Sequence, residues 1–141
     1  MAKLIKIKTD TSLDKDLYDT ICEELTSIGD VHKELSEITA QYSYYHGIMI
    51  HSKRRLDEAV DQFEQYKSGA RTEKRKEGKL TAVAGEDFVN SLSGTVALNT
   101  TVQNLQESYG YAKGICSALE MKKDMLVQLS ANNRMETKLY Q

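Results

Sequence analysis

The feature that most constrains this fold is a long helical pattern of apolar residues in a chain that contains no proline. From Leu17 to Tyr66, apolar side chains recur at steps of three and four residues, with one interruption at Ser52. Such spacing places them on one stripe of an α-helix. A second stretch with the same period runs from Leu98 to Leu129. Because proline is absent and glycine is sparse, little interrupts either helix, and the sequence predicts two long amphipathic helices.

A few glycines mark the expected breaks in this pattern. Gly29 and Gly47 are the predicted bends of the first helix, since glycine costs about 1 kcal/mol in a helix interior. Gly69 is a plausible terminator of that helix. A short helix is expected at Glu86–Leu92, ending at the Ser-Gly pair that follows. The N-terminal letters "KLIKIK" alternate with period two and predict a short strand.

The predicted architecture is all-α: a long helical hairpin, with a short helix and a basic connection between the two long helices. We expect a single domain over residues 1–141, with an extended arm at 1–12, the basic connection at 67–85 and a flexible tail at 135–141. A hairpin leaves long apolar stripes uncovered, so it predicts a homo-oligomer. The expected interface follows the second stripe, at Leu98, Val102, Leu105, Tyr109, Cys116, Leu119, Leu126 and Leu129.

The composition is that of an ordinary intracellular protein. The first ten residues lack the apolar core of a signal peptide, and no apolar run approaches the roughly 20 residues that span a bilayer. Cys22 and Cys116 lie far apart without a CxxC spacing, so neither a disulfide framework nor a zinc site is indicated. We therefore expect a soluble, intracellular chain with reduced cysteines that does not contact a membrane.

Motifs that carry catalysis are missing from the sequence. The three histidines form no HExxH or HxxxH pair, there is no GxxxxGK[ST] phosphate loop, and the glycines follow no predicted strand. Cys116 falls on the apolar stripe, where a core position is more typical than a nucleophile. The sequence thus predicts a protein that is not an enzyme and that needs no metal or cofactor.

Positive charge is concentrated in one segment, "YKSGARTEKRKEGK", at residues 66–79. It carries a formal charge of +4, whereas the whole chain carries −2. A second basic run, "HSKRR", lies about 15 residues earlier. If the helix ended near Gly69, the two clusters could face the same side. The candidate nucleic-acid-binding residues are Lys53, Arg54, Arg55, Lys67, Arg71, Lys74, Arg75, Lys76 and Lys79.

Three interpretations of the basic residues remain open at the level of the residues alone. Positive charge beside aromatic faces is typical of single-strand binding, and Tyr42, Tyr44 and Tyr45 could stack on bases. Glu73 and Glu77, however, have the spacing of helical ion pairs, which would make the segment a solvated helical turn. An anionic protein partner is the third interpretation.

Two stretches resemble the UvsY family of recombination mediators from T-even-type phages. "YKSGAR" is similar to the family's Y-x-S-G-x turn at the end of a long polar helix. "GICSALEMKKDMLVQLSANNRME" is similar to its C-terminal helix, with a small-residue and cysteine patch, an A-L step, a basic pair and an R-x-x-E-like end. With the shared order of helix, charged connection and long helix, the resemblance covers residues 30–136.

The resemblance implies a homo-oligomeric ring that binds single-stranded DNA, helps displace the single-strand-binding protein and loads a RecA-like recombinase in the cytoplasm of an infected bacterium. In one stretch the chain departs from the family pattern, which has basic residues in the turns before the Y-x-S-G turn. Here that stretch is the acidic "LDEAVDQFEQ". A DNA contact must then use Lys53–Arg55 or Arg71–Lys79. The alternative is a non-enzymatic helical phage structural or adaptor protein that self-associates without binding nucleic acid.

Overall fold

The computed structural model describes residue 7, residues 12–78 and residues 81–139. Every regular element in these ranges is an α-helix. The four helices are α1 (Lys15–Thr26), α2 (Val31–Lys76), α3 (Ala82–Ser91) and α4 (Ser93–Leu139). Since α2 has 46 residues and α4 has 47, the prediction of an all-α chain with two long helices is confirmed.

The chain forms two compact units. The first comprises Met1–Ser52 and Ser108–Gln141, and the second comprises Lys53–Glu107. The first unit therefore holds α1 with the N-terminal part of α2 and the C-terminal part of α4. The second unit holds α3 with the remaining parts of α2 and α4.

The core of the first unit is built by three helices. Side chains that are at most 1% exposed come from each of them: Ile21 and Leu25 from α1, Tyr45 and Ile48 from α2, and Ile115 and Leu119 from α4. Tyr44 adds a link to the N-terminal residues, because its hydroxyl accepts from the Ile7 N–H and donates to the Ile7 carbonyl, each at 2.6 Å. In the second unit the buried apolar side chains are fewer: Leu56 and Ala59 of α2, Val89 of α3, and Val102 and Leu105 of α4.

A buried ion pair connects α2 and α4 in the first unit. Lys122 Nζ lies 3.2 Å from Glu34 Oε1, and both side chains are only 3% exposed. The other carboxylate oxygen, Glu34 Oε2, accepts from the Gly29 N–H at 3.2 Å. Asp30 Oδ1 accepts from the Lys33 N–H at 3.0 Å, which caps the start of α2. These bonds fix residues 27–30 as the connection between α1 and α2.

The first long helix therefore begins later and ends later than its periodicity predicts. The expected helix from Leu17 is divided by the connection around Gly29, whereas Gly47 stays inside α2 without a break. The predicted termination at Gly69 is wrong, since α2 continues to Lys76. A glycine costs only about 1 kcal/mol in a helix, which packing on either side outweighs. The chain leaves the helix at Gly78, whose φ of 158° is one that other residues rarely adopt.

The short helix and the second long helix also have different bounds from those expected. α3 starts at Ala82 rather than Glu86 because Thr81 caps it, with Oγ1 accepting from the Ala84 N–H at 3.1 Å. The Ser-Gly pair expected to break the chain lies instead in the first turn of α4. The buried Thr95 hydroxyl donates to the Val89 carbonyl at 2.6 Å and fixes the α3–α4 corner.

At the C-terminal end, residues 135–139 are helical and belong to α4. The flexibility expected of residues 135–141 stays a prediction. Apart from Ile7, the predicted strand in "KLIKIK" lies outside the described residues, as does most of the expected extended arm.

Most of the residues expected to form an oligomer interface are buried within the single folded chain. Five of the eight are buried within the units themselves: Val102, Leu105, Cys116, Leu119 and Leu126. The other three, Leu98, Tyr109 and Leu129, are partly buried. Within the chain, Cys116 and Leu119 pack in the core that α1, α2 and α4 form. The five buried residues therefore offer little surface to a second copy of this folded chain. Self-association itself stays a prediction.

Candidate anion-binding site

The candidate nucleic-acid-binding residues all belong to the second unit, and all except Lys79 are described. Lys79 lies outside the described residues. The remaining eight follow one continuous helix, because α2 runs through Gly69. The expected return of the chain at that glycine does not occur, so Arg55 and Arg71 are separated by about 24 Å along the helix axis. The condition under which the two basic clusters could face the same side, a helix end near Gly69, is therefore not met.

The first basic cluster, at residues 53–55, is paired with carboxylates one turn further along α2. Lys53 Nζ lies 3.0 Å from Asp57 Oδ1, and Arg54 Nε lies 3.3 Å from Glu58 Oε1. Arg55 is partly buried and has a partner of its own. Such exposed pairs contribute only about 0.3–0.5 kcal/mol each, but they cancel the local positive potential. The carboxylates that cancel this potential, Asp57 and Glu58, belong to the acidic stretch in which the chain departs from the UvsY pattern.

The second basic cluster lines a cavity between α2 and α3 of about 270 Å³. Three of its lining side chains are cationic and were predicted from the sequence: Arg71, Lys74 and Arg75. The opposite wall is the first turn of α3. The full set of lining residues is Arg71, Lys74, Arg75, Thr81, Ala82, Gly85 and Glu86.

Among the described residues that line this cavity, Glu86 is the one acidic side chain, and it binds Arg71. Arg71 Nε lies 2.6 Å from Glu86 Oε1, and Nη2 donates to Oε2 at 3.1 Å. Both side chains keep contact with solvent, at 29% exposure for Arg71 and 47% for Glu86. Three cations against one carboxylate leave the lining with a net positive charge.

Lys74 and the other lysines described within residues 66–79 make local contacts with acidic or aromatic side chains. Lys74 Nζ lies 4.6 Å from the centroid of the Phe88 ring and 3.2 Å from Glu77 Oε2. Lys76 pairs with Glu73 at 3.2 Å, and Lys67 lies over the Phe63 ring at 5.0 Å. The helical pairs expected of a solvated turn are thus present at Glu73 and Glu77. Arg75 is exposed beside the cavity.

The tyrosines considered for base stacking serve the first unit instead. Tyr45 is buried, and Tyr44 is bound to Ile7. The Tyr42 hydroxyl donates to Glu120 Oε1 at 3.0 Å, and its ring stacks on His46 with centroids 5.5 Å apart. The structure therefore does not place these three rings as an open platform.

Other cavities lie in the first unit. One of them, of about 560 Å³, is lined by His32 and by the last turns of α4, including Arg134 and Lys138. Sequence reasoning did not single out these two cations. In the described residues no group of three or more His, Cys, Asp or Glu side chains is arranged to hold a metal ion. No helix in the same part of the chain has an apolar stretch long enough to cross a membrane.

Two buried groups in the core of the first unit have raised pKa values. Burial raises the pKa of the Cys116 thiol to about 11, with a smaller effect from Glu120. Burial also raises the pKa of Tyr45 to about 12. Cys116 therefore stays protonated at neutral pH and lacks the thiolate that a nucleophile requires.

We expect the folded chain to lose stability as the pH rises from about 9 to 11. The unfolded Cys116 thiol titrates near its ordinary value of 9.0. Because the folded state holds this proton more tightly, the stabilisation is complete below pH 9 and declines as the pH approaches 11. Linkage limits the loss to about 3 kcal/mol for this group. Urea unfolding of Cys116→Ala should show a shallower decline than the wild type between these pH values, and equal declines would contradict the assignment.

Sequence reasoning found the cations of the cavity but missed its other wall. Thr81, Gly85 and Glu86 were not assigned to the site, because the short helix was expected to begin four residues later. The signal that was available is the N-cap preference of threonine at position 81. Nothing in the sequence pairs Arg71 with Glu86, since they lie on different helices. Comparisons of the chain with protein-family models, curated proteins and solved structures found no match.

Proposed function

We propose that this protein is a non-enzymatic accessory protein that binds single-stranded DNA through the cavity between α2 and α3. The observation that carries the proposal is the convergence of Arg71, Lys74 and Arg75 on one cavity. Arginine and lysine bind phosphate strongly, arginine through two parallel hydrogen bonds. Both basic clusters are paired with carboxylates, at Lys53 and Arg54 in the first and at Arg71, Lys74 and Lys76 in the second. The second cluster is favoured because three of its cations line one cavity.

The role of a recombination mediator is the biological form of this proposal. It is supported by the resemblance of the α4 sequence to the UvsY family. The resemblance of "YKSGAR" to the family's turn adds no support, because α2 continues through these residues. In that role the chain, as a homo-oligomeric ring, loads a RecA-like recombinase onto DNA coated with single-strand-binding protein. Repetition of the basic cavity around a ring would strengthen the local field of a chain whose net charge is −2.

The first test is the binding of labelled oligo-dT as the salt concentration increases. We expect wild-type affinity to fall steeply, because each phosphate contact releases counterions from the strand. The variant Arg71→Gln/Arg75→Gln should reduce the slope of log K against log salt by about 1.4, or about 0.7 for each lost contact. Circular dichroism checks that both proteins remain helical.

The matched control removes the same two charges from the cavity of the first unit. Arg134→Gln/Lys138→Gln should leave the salt slope close to that of the wild type. If instead this control weakens binding as much as Arg71→Gln/Arg75→Gln, the strand is attracted by overall charge and the assigned site is wrong. If the wild type fails to retard oligo-dT even at low salt, the DNA-binding proposal is wrong.

A structural or adaptor protein is the second candidate, and one surface favours it. An apolar groove of about 340 Å³ in the first unit is lined by Thr26, Ala118, Met121, Lys122 and Met125. Met121 is 73% exposed and Met125 is 45% exposed. Exposed methionines adapt to varied apolar partners. This candidate predicts no oligo-dT binding, so the same titration separates the two.

A further inference from the structure

The cavity between α2 and α3 is small for a ligand site. At about 270 Å³ it lies below the roughly 300–1,000 Å³ of most small-molecule pockets. Its lining offers guanidinium, ammonium and hydroxyl groups and no open aromatic face, since the Phe88 ring next to it carries Lys74. The cavity therefore suits one phosphate group rather than a nucleoside with its base.

Arg71 holds Glu86 through one hydrogen bond and one close charge contact. Nη2 donates to Glu86 Oε2 at 3.1 Å, whereas Nε lies 2.6 Å from Oε1 but is a buried donor without a hydrogen bond. A phosphodiester presents two non-bridging oxygens, which can accept from two nitrogens of one guanidinium. Since Glu86 lines the cavity itself, its carboxylate lies where a bound phosphate would contact Arg71.

We propose, building on the proposed function, that the cavity binds a single backbone phosphate of the DNA strand and that Glu86 is the internal anion which this phosphate displaces. Arg71 then exchanges one anion for another, while Lys74 and Arg75 complete the phosphate contacts. Because the Arg71–Glu86 pair is open to solvent, the exchange costs little. Glu86 thereby lowers the affinity of each cavity for phosphate. Tight binding then requires that several such cavities contact the same DNA strand.

The inference predicts that removing the charge of Glu86 strengthens binding. Glu86→Gln keeps the shape of the side chain but frees Arg71 from its competitor. We expect its affinity for oligo-dT to rise up to about 5-fold at a fixed salt concentration, the value of a solvent-accessible ion pair. The matched control is Asp87→Asn, which makes the same charge change at the next residue, an exposed carboxylate that does not line the cavity. Its affinity should stay close to that of the wild type.

A second probe reports on the cavity independently of DNA. Inorganic phosphate is titrated at constant ionic strength while NMR follows the Gly85 amide and the Arg71 Nε–H. Phosphate should shift both signals in the wild type. In Glu86→Gln the shifts should occur at lower phosphate concentrations, and in Asp87→Asn they should occur at the same concentrations as in the wild type. Thermal unfolding of the three proteins verifies that each is folded at the temperature used.

The possible outcomes separate this inference from the proposed function. If Glu86→Gln and Asp87→Asn strengthen oligo-dT binding equally, the effect is one of net charge and Glu86 is not a competitor. If phosphate shifts neither signal while oligo-dT still binds, the cavity is not the phosphate site, although DNA binding stands. If phosphate binds more tightly to Glu86→Gln but oligo-dT does not bind, the displacement of Glu86 is upheld and the proposed function fails.

Discussion

Replacement of Lys122 by methionine is expected to lower the free energy of unfolding by about 3–5 kcal/mol. Methionine retains an apolar stem of similar length but not the ammonium group. Glu34, only 3% exposed, would be left as a buried carboxylate without its cation. The same substitution also removes the weak contact of Lys122 Nζ with the Ser27 carbonyl, at 3.5 Å. Urea unfolding followed by circular dichroism measures the loss.

Two further variants show whether the burial of the pair is the cause. Lys123→Met changes the exposed neighbouring lysine and should shift the free energy of unfolding by no more than about 0.5 kcal/mol. Lys122→Met/Glu34→Leu removes both charges together and should recover most of the stability lost in the single variant. Equal stability of Lys122→Met and Lys123→Met would contradict a buried pair.

A second large effect is expected for Leu119→Ala, which should lower the free energy of unfolding by about 2–5 kcal/mol. This side chain is 1% exposed and belongs to the core that α1, α2 and α4 form in the first unit. Truncation leaves a cavity that helices fixed by their other contacts cannot fully close. Because the packing partners lie within the same chain, the loss should not depend on protein concentration.

The position two residues further along α4 provides the control. Met121 is 73% exposed, and Met121→Ala should change stability by no more than about 0.5 kcal/mol. Unfolding is measured at protein concentrations a hundredfold apart, together with the mass in solution. If Leu119→Ala instead lowers the mass and its stability varies with concentration, Leu119 lies in a subunit interface, as the apolar stripe first predicted.

The interface prediction shows how the number of helices changes the meaning of a pattern. A two-helix hairpin would leave the α4 stripe open, and from that reasoning self-association was expected. The structure adds α1 as a separate helix and begins α3 earlier, and Leu105 and Leu126 are both buried within the chain. The period of a stripe identifies a buried face, but it does not say which chain or element buries it.

Glycine positions show the same limit of local signals. Gly29, Gly47 and Gly69 look alike in sequence as helix breakers, yet only the first lies in a break. At Gly29 the backbone N–H is bound by Glu34, a residue anchored in turn by Lys122 of α4. The two other glycines lie inside α2, which continues through both of them.

The sequence by itself determined the class of the fold, the two long helices and the cations of the candidate site. These depend on features that act over a few residues: the spacing of apolar side chains, the absence of proline and the composition of residues 66–79. The continuation of α2 through Gly69 keeps the two basic clusters apart. Only the tertiary structure decided that Lys122 pairs with Glu34 and that Arg71 pairs with Glu86. The physical reason is that such pairs join different helices, and a pairing between residues 88 positions apart depends on how the helices pack.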